Sequence, residues 1–208
     1  MVNPALERES RRLLDRYQVE IVERFGLCPW AAPARARGEV RVAVVDAEHA
    51  GAALDAFIAD SGAIIGLVVM PSFTGDAGAL RGLRDELLTA ARAATLALAD
   101  FHPEAHFDAT AAARLVPWLR RSPDPMLQAV RHTTLAPLRR SVVLMDAAEQ
   151  LEVLAGRGSP PRPDPAAVVA TDNLATVVEQ GDAVAAAFDE IARDRAAAYA
   201  ALGVRTRR

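Results

Sequence analysis

The 208-residue chain contains no lysine; all 24 of its basic residues are arginine. No side-chain amine is present to form a Schiff base, and a Walker-type phosphate loop lacks its lysine. Pyridoxal-phosphate enzymes and P-loop nucleotide hydrolases are disfavoured on that ground. Cysteine occurs once, as Cys28, which excludes an internal disulfide and any multi-cysteine zinc or iron–sulfur site. Aromatic residues make up 5%, and no aromatic-basic platform for nucleic acid is visible among them. The net charge of −3 gives no global attraction to nucleic acid or to an anionic membrane. No run reaches 18 apolar residues, so a membrane span is not expected. The charged, periodic N-terminal stretch lacks the apolar core of a signal peptide. A cytoplasmic protein is expected, with no nucleic-acid or membrane partner.

Half of the residues are nonetheless apolar, and the chain is long enough to bury a core without staples. Leu14, Tyr17, Ile21 and Phe25 recur at helical spacing within 5–25, and Gly26 stands where a helix-terminating glycine belongs. The stretch 27–38, broken by Pro29 and Pro33, reads as an ordered loop. Strands are expected at 39–46, 63–71 and 95–103, with helices at 47–60 and 76–94 between them. The continuous apolar run of the second strand suits burial on both faces, as in a parallel sheet. The alternation predicts an α/β fold with three to four mostly parallel strands, covering helices, and helical N-terminal and C-terminal segments. A helical turn is expected near 110–116 and a helix over 125–135, opened by Pro125 and capped by Asp124. A fourth strand is expected at 141–145, followed by a helix. These elements divide the chain into an α/β domain over 1–156, a proline-rich linker over 157–165, and a C-terminal helical segment over 166–208 that packs on the same domain.

In open α/β sheets ligands bind beyond the carboxyl ends of the strands. Asp46, Ser72 and His102 fall there. His102 has the most versatile chemistry, as acid, base or ligand; equally, an His-Pro pair can end a strand with the imidazole capping a turn. Cys28 is either a nucleophile or a small apolar plug. A nucleophile needs an activator, and the C-terminus of the preceding helix disfavours a thiolate. His102 and Arg121 are the candidates. The sequence "RRSPDP" (120–125) sets two arginines and Ser122 before an expected helix start, an arrangement suited to anions. Arg131 follows within two turns.

Four elements then resemble a known family. They are "GLCPW", "FHPEAHF", "RSPDPML" followed by Arg131, and "DNLATV". In order and spacing they are similar to the bacterial domain-of-unknown-function family 1415. The resemblance picks out Cys28, Pro29, Phe101, His102, Pro103 and Phe107, then Arg121, Ser122, Pro123, Pro125, Met126, Leu127 and Arg131, and finally Asn173 and Leu174. Trp30, Arg120, Asp124 and His132 depart from the family's pattern. The resemblance implies that Cys28, His102 and Arg121 belong to one site.

The expected function is a small cytoplasmic enzyme acting on an anionic small molecule. Cys28 would be nucleophile or covalent carrier, His102 general acid/base, and Arg121 the anion clamp, with Ser122, Arg131 and Asn173 as further binding residues. No cofactor is expected. Two alternatives stay open: a non-catalytic metabolite-binding or redox-sensing module, and a metal or haem protein with Cys28 and His102 as ligands.

Overall fold

The computed structural model describes residues 2–105, 115, 119–139, 151, 155 and 165–204. Helix α1 (Pro4–Arg16) starts where Pro4 supplies a preset φ and the Asn3 side chain accepts from the Ala5 N–H at 2.9 Å. It runs on into a π-helical segment, Tyr17–Glu23. The wider π turn ends at Gly26, whose φ of +64° is the left-handed value that glycine adopts without strain. A short helix, α2 (Ala31–Ala36), follows where an ordered loop was expected. Strand β1 (Val40–Val44), a 3₁₀ turn and α3 (Ala50–Ala59) lead to β2 (Ile65–Val69). Helices α4 (Ala77–Leu87) and α5 (Ala90–Ala93) precede β3 (Leu96–Phe101). Strand β4 (Met126–Arg131), α6 (His132–Arg139) and the long α7 (Pro165–Ala201) complete the described elements.

The α/β class and the helical N-terminal and C-terminal segments are as expected, but the strand directions differ. The sheet order is β1-β2-β4-β3. Only β1 and β2 run parallel; β4 pairs antiparallel with both β2 and β3. The apolar run in β2 correctly signalled burial on both faces, but burial does not report direction. The expected helix over 125–135 is strand β4 followed by α6. Its "MLQAVR" alternates between the two sheet faces, and Pro125 precedes a strand here rather than opening a helix. The strand expected at 141–145 lies outside the described residues. So do the turn near 110–116, apart from buried Leu115, and the linker over 157–165, apart from Pro165.

Two cores flank the sheet. On one face Leu54 and Phe57 of α3 and Leu80 of α4 pack on Val68, Leu96, Leu127 and Ala129. Gly66 is required there, because an added Cβ would come within 2.8 Å of the Phe57 ring. On the other face α1, the π segment and α7 pack on Leu67, Val69 and Met126 through Leu13, Tyr17, Ile21, Val184 and Phe188. Helix α7 breaks at Gln180, where φ is −126° and ψ is 18°. Its second half is held to α1 by Asp194, which accepts from Arg12 at 2.8 Å and Arg16 at 2.5 Å.

Candidate functional site

A cavity of about 530 Å³ lies on the face of the sheet covered by the π segment and α7. Its floor is the sheet itself. Ile65 and Leu67 of β2, Met126 and Gln128 of β4, and Phe101 of β3 all line it. In register, Gln128 sits between Leu67 and Ala99. A carboxamide therefore stands in the middle of an apolar floor, beside a small residue that leaves room above it.

The walls come from several other elements. The π segment contributes Tyr17, Gln18 and Val22. The i→i+5 hydrogen bonding of a π turn widens it, and residues 17, 18 and 22 share this wall. The turn before α2 contributes Cys28 and Trp30, and the first half of α7 contributes Val169, Ala170 and Asn173. Trp30 is 41% exposed and so stands at the rim.

The polar groups of this cavity have work left to do. Tyr17 and Asn173 are 4% and 6% exposed. Among the described residues neither side chain has a hydrogen-bond partner, and buried polar groups are normally paired. Burial first, and then the neighbouring Cys28, push the Tyr17 hydroxyl well above the ordinary phenol range, so it is a protonated donor. Arg120 lines the cavity from the β3 edge, where its carbonyl accepts from the His102 N–H at 3.0 Å. Its guanidinium makes no hydrogen bond to another described residue. Burial lowers its pKa, Asp100 opposes this, and Arg84 and Arg81 add to it. Arginine keeps its charge regardless. Asp100 is already engaged by Arg84, so the Arg120 charge is not consumed locally. Among the described residues no acidic side chain lines the cavity.

Cys28 is half-buried in the wall. Burial pushes its thiol up, and the backbone of Trp30 and Ala31 nearby partly offsets that. The resting group at neutral pH is the thiol.

The other expected site residues go elsewhere. His102 is buried and follows the last residue of β3, on the opposite face of the sheet from the cavity. Its Nε2–H donates to the Gly75 carbonyl at 3.1 Å, and its Nδ1 accepts from the Glu104 N–H at 3.1 Å. Both ring nitrogens are thus used to tie the strand end to the loop before α4, and the Cys28–His102 pair is not formed. Arg121 donates from Nε to the Pro103 carbonyl at 3.1 Å and lies 5.3 Å over the Phe188 ring. Ser122 donates to the Asp124 carbonyl at 2.5 Å. Asp124, expected as a helix cap, is a buried carboxylate that accepts from Ser10 at 2.7 Å, Tyr199 at 2.6 Å and Arg195 at 2.7 Å. No helix starts there to hold an anion. Arg131 donates to the carbonyls of Phe57, Ile58, Asp60 and Ala63 and so caps the end of α3. Of the expected set, the cavity brings together Cys28 and Asn173. Phe107 lies outside the described residues.

Tyr17, Gln18, Arg120 and Gln128 were not anticipated as site residues. Tyr17 was read as part of an apolar stripe. Gln128 carried a signal, a lone amide in an otherwise apolar alternating run, which the helical reading of 125–135 hid.

Among the described residues no three His, Cys, Asp or Glu side chains converge as metal ligands. Among them, too, no helix is long and apolar enough to cross a membrane. The fold and site define an α/β domain with a largely apolar cavity beside its sheet. The chain belongs to the family described as "Protein of unknown function (DUF1415)", whose sequence profile matches residues 12–148. No curated protein and no solved structure matches it.

Proposed function

We propose that this protein is a cytoplasmic binding module for an anionic small molecule with an apolar body, held in the Cys28 cavity. The observation that carries this is that two buried residues, Tyr17 and Asn173, bring polar side chains to one largely apolar cavity with no hydrogen-bond partner among the described residues. Its volume lies in the range of small-molecule sites, which join apolar walls to a few convergent polar groups. The anionic character rests on Arg120 and on the lack of a lining carboxylate among the described residues. Gln18, Gln128 and Asn173 offer both donors and acceptors to a carbonyl or hydroxyl on the ligand. Of the readings open from the sequence, a metabolite-binding module has the most support. A Cys28–His102 reaction has none from the geometry, because the sheet stands between them and the imidazole is fully bonded.

The test uses decanoate, an apolar chain with one carboxylate. In a Trp118→Phe background Trp30 reports alone. Titration is expected to give a saturable change in Trp30 emission, about tenfold tighter for decanoate than for decanol. Arg120→Gln is expected to bring decanoate down to the decanol value. Equal affinity for acid and alcohol removes the anion from the proposal; no saturable change with either removes the site.

A further inference from the structure

We infer that Cys28 is an S-acylation site, at which an apolar acyl group is transferred from an acyl thioester and its chain is housed in the cavity. The inference rests on the binding reading above and extends it from a held ligand to a covalent one. A thiol in this position would be a plain packing residue if the wall around it were tight and satisfied. It is neither. The thiol lines a cavity of about 530 Å³ whose floor is Ile65, Leu67 and Met126. Tyr17 and Asn173, each more than nine-tenths buried, line the same space without a hydrogen-bond partner among the described residues. Tyr17 and Cys28 line the same cavity as neighbours, and burial first and then Cys28 raise the Tyr17 hydroxyl.

The chemistry balances without an oxidant, a reductant or a metal. The Cys28 sulfur attacks the carbonyl carbon of the donor thioester. One carbon–sulfur bond forms, the donor's carbon–sulfur bond breaks, and the leaving thiolate takes up the proton that Cys28 lost. Thioester replaces thioester, so burial of the chain decides the direction. The Trp30 N–H beside the sulfur can donate to the carbonyl oxygen of the new thioester, whereas the Ala31 N–H is already taken by the Cys28 carbonyl at 3.2 Å. Because burial holds the sulfur as thiol, the transfer speeds up with rising pH.

The experiment incubates the full chain at pH 8 with S-decanoyl-N-acetylcysteamine or with its acetyl counterpart at equal concentration, read by intact mass. One decanoyl group is expected, released by neutral hydroxylamine and absent from Cys28→Ala. The decanoyl donor is expected to react at least tenfold faster than the acetyl donor, and free decanoate to slow it. No adduct, or equal rates for the two donors, overturns the inference; equal rates would mean a merely reachable thiol. If decanoate changes Trp30 emission while no adduct forms, acylation fails and the binding reading stands. If decanoate neither binds nor slows the reaction, both fall.

Discussion

Cys28 and His102 lie on opposite sides of the β-sheet. Cys28 lines the cavity over Leu67 and Met126, whereas His102 donates from Nε2 to the Gly75 carbonyl beside α4. The two most versatile side chains of the sequence therefore serve different ends. One lines the cavity; the other fixes a turn. His102→Ala is expected to leave the pH profile of Cys28 alkylation unchanged. It is expected to cost about 1 kcal/mol of stability through the lost turn bonds. Alkylation against pH, paired with urea unfolding of both proteins, checks this.

Asp124 is the junction of three segments. It accepts from Ser10 on α1 and from Arg195 and Tyr199 on α7, while its own loop leads into β4. Asp124→Ala leaves the half-buried Arg195 charge unpaired, which is expected to cost about 3–5 kcal/mol. Urea unfolding of the variant measures it.

Arg131 reads in sequence as an anion ligand but caps α3. Its Nε donates to the Ala63 carbonyl and its Nη2 to those of Phe57, Ile58 and Asp60. Arg131→Met is expected to destabilise by about 2–3 kcal/mol. Decanoate affinity, measured by Trp30 emission, should stay within about twofold. A loss of affinity as large as that from Arg120→Gln would return Arg131 to the binding site.

Asp194 links α1 to α7 and gives the fold a defined acid response. Arg12 and Arg16 hold its carboxyl down at about 2. A carboxylate lowered on folding stabilises above its unfolded value, about 3.9, and the gain is lost as pH falls through the folded value. The pair is partly exposed, so its contribution is about 1 kcal/mol. Asp194→Asn is expected to be less stable than the parent by that amount from pH 7 down to about 5. The gap should close as pH approaches 2, which thermal unfolding across that range would show.

Much of the scaffold was legible in the sequence. Leu14, Tyr17, Ile21 and Phe25 marked a helical stripe, Gly26 its end, and the apolar run through Leu67 and Val69 a strand buried on both faces. Strand direction was not legible, since a buried run looks the same in a parallel or an antiparallel sheet. Nor was the π segment, because its register shifts only by one residue per turn. "RRSPDPML" misled because proline and aspartate before an apolar run suit a helix start as well as a strand entry. Polar residues near strand ends were nominated as a site, yet His102, Arg121 and Arg131 each donate to backbone carbonyls of the fold. The cavity depends on long-range pairing. Gln128, Asn173 and Cys28 meet only once β4, α7 and the turn before α2 are assembled.

The most direct measurement is ligand protection of the thiol. The chain has one cysteine, so iodoacetamide reports on Cys28 alone. The rate is measured at pH 8.5 against decanoate concentration, in the parent protein and in Arg120→Gln. The account predicts saturable protection of at least fivefold in the parent, displaced to about tenfold higher concentration in the variant. A rate that decanoate leaves unchanged would contradict it, for the thiol would then not share its cavity with the ligand.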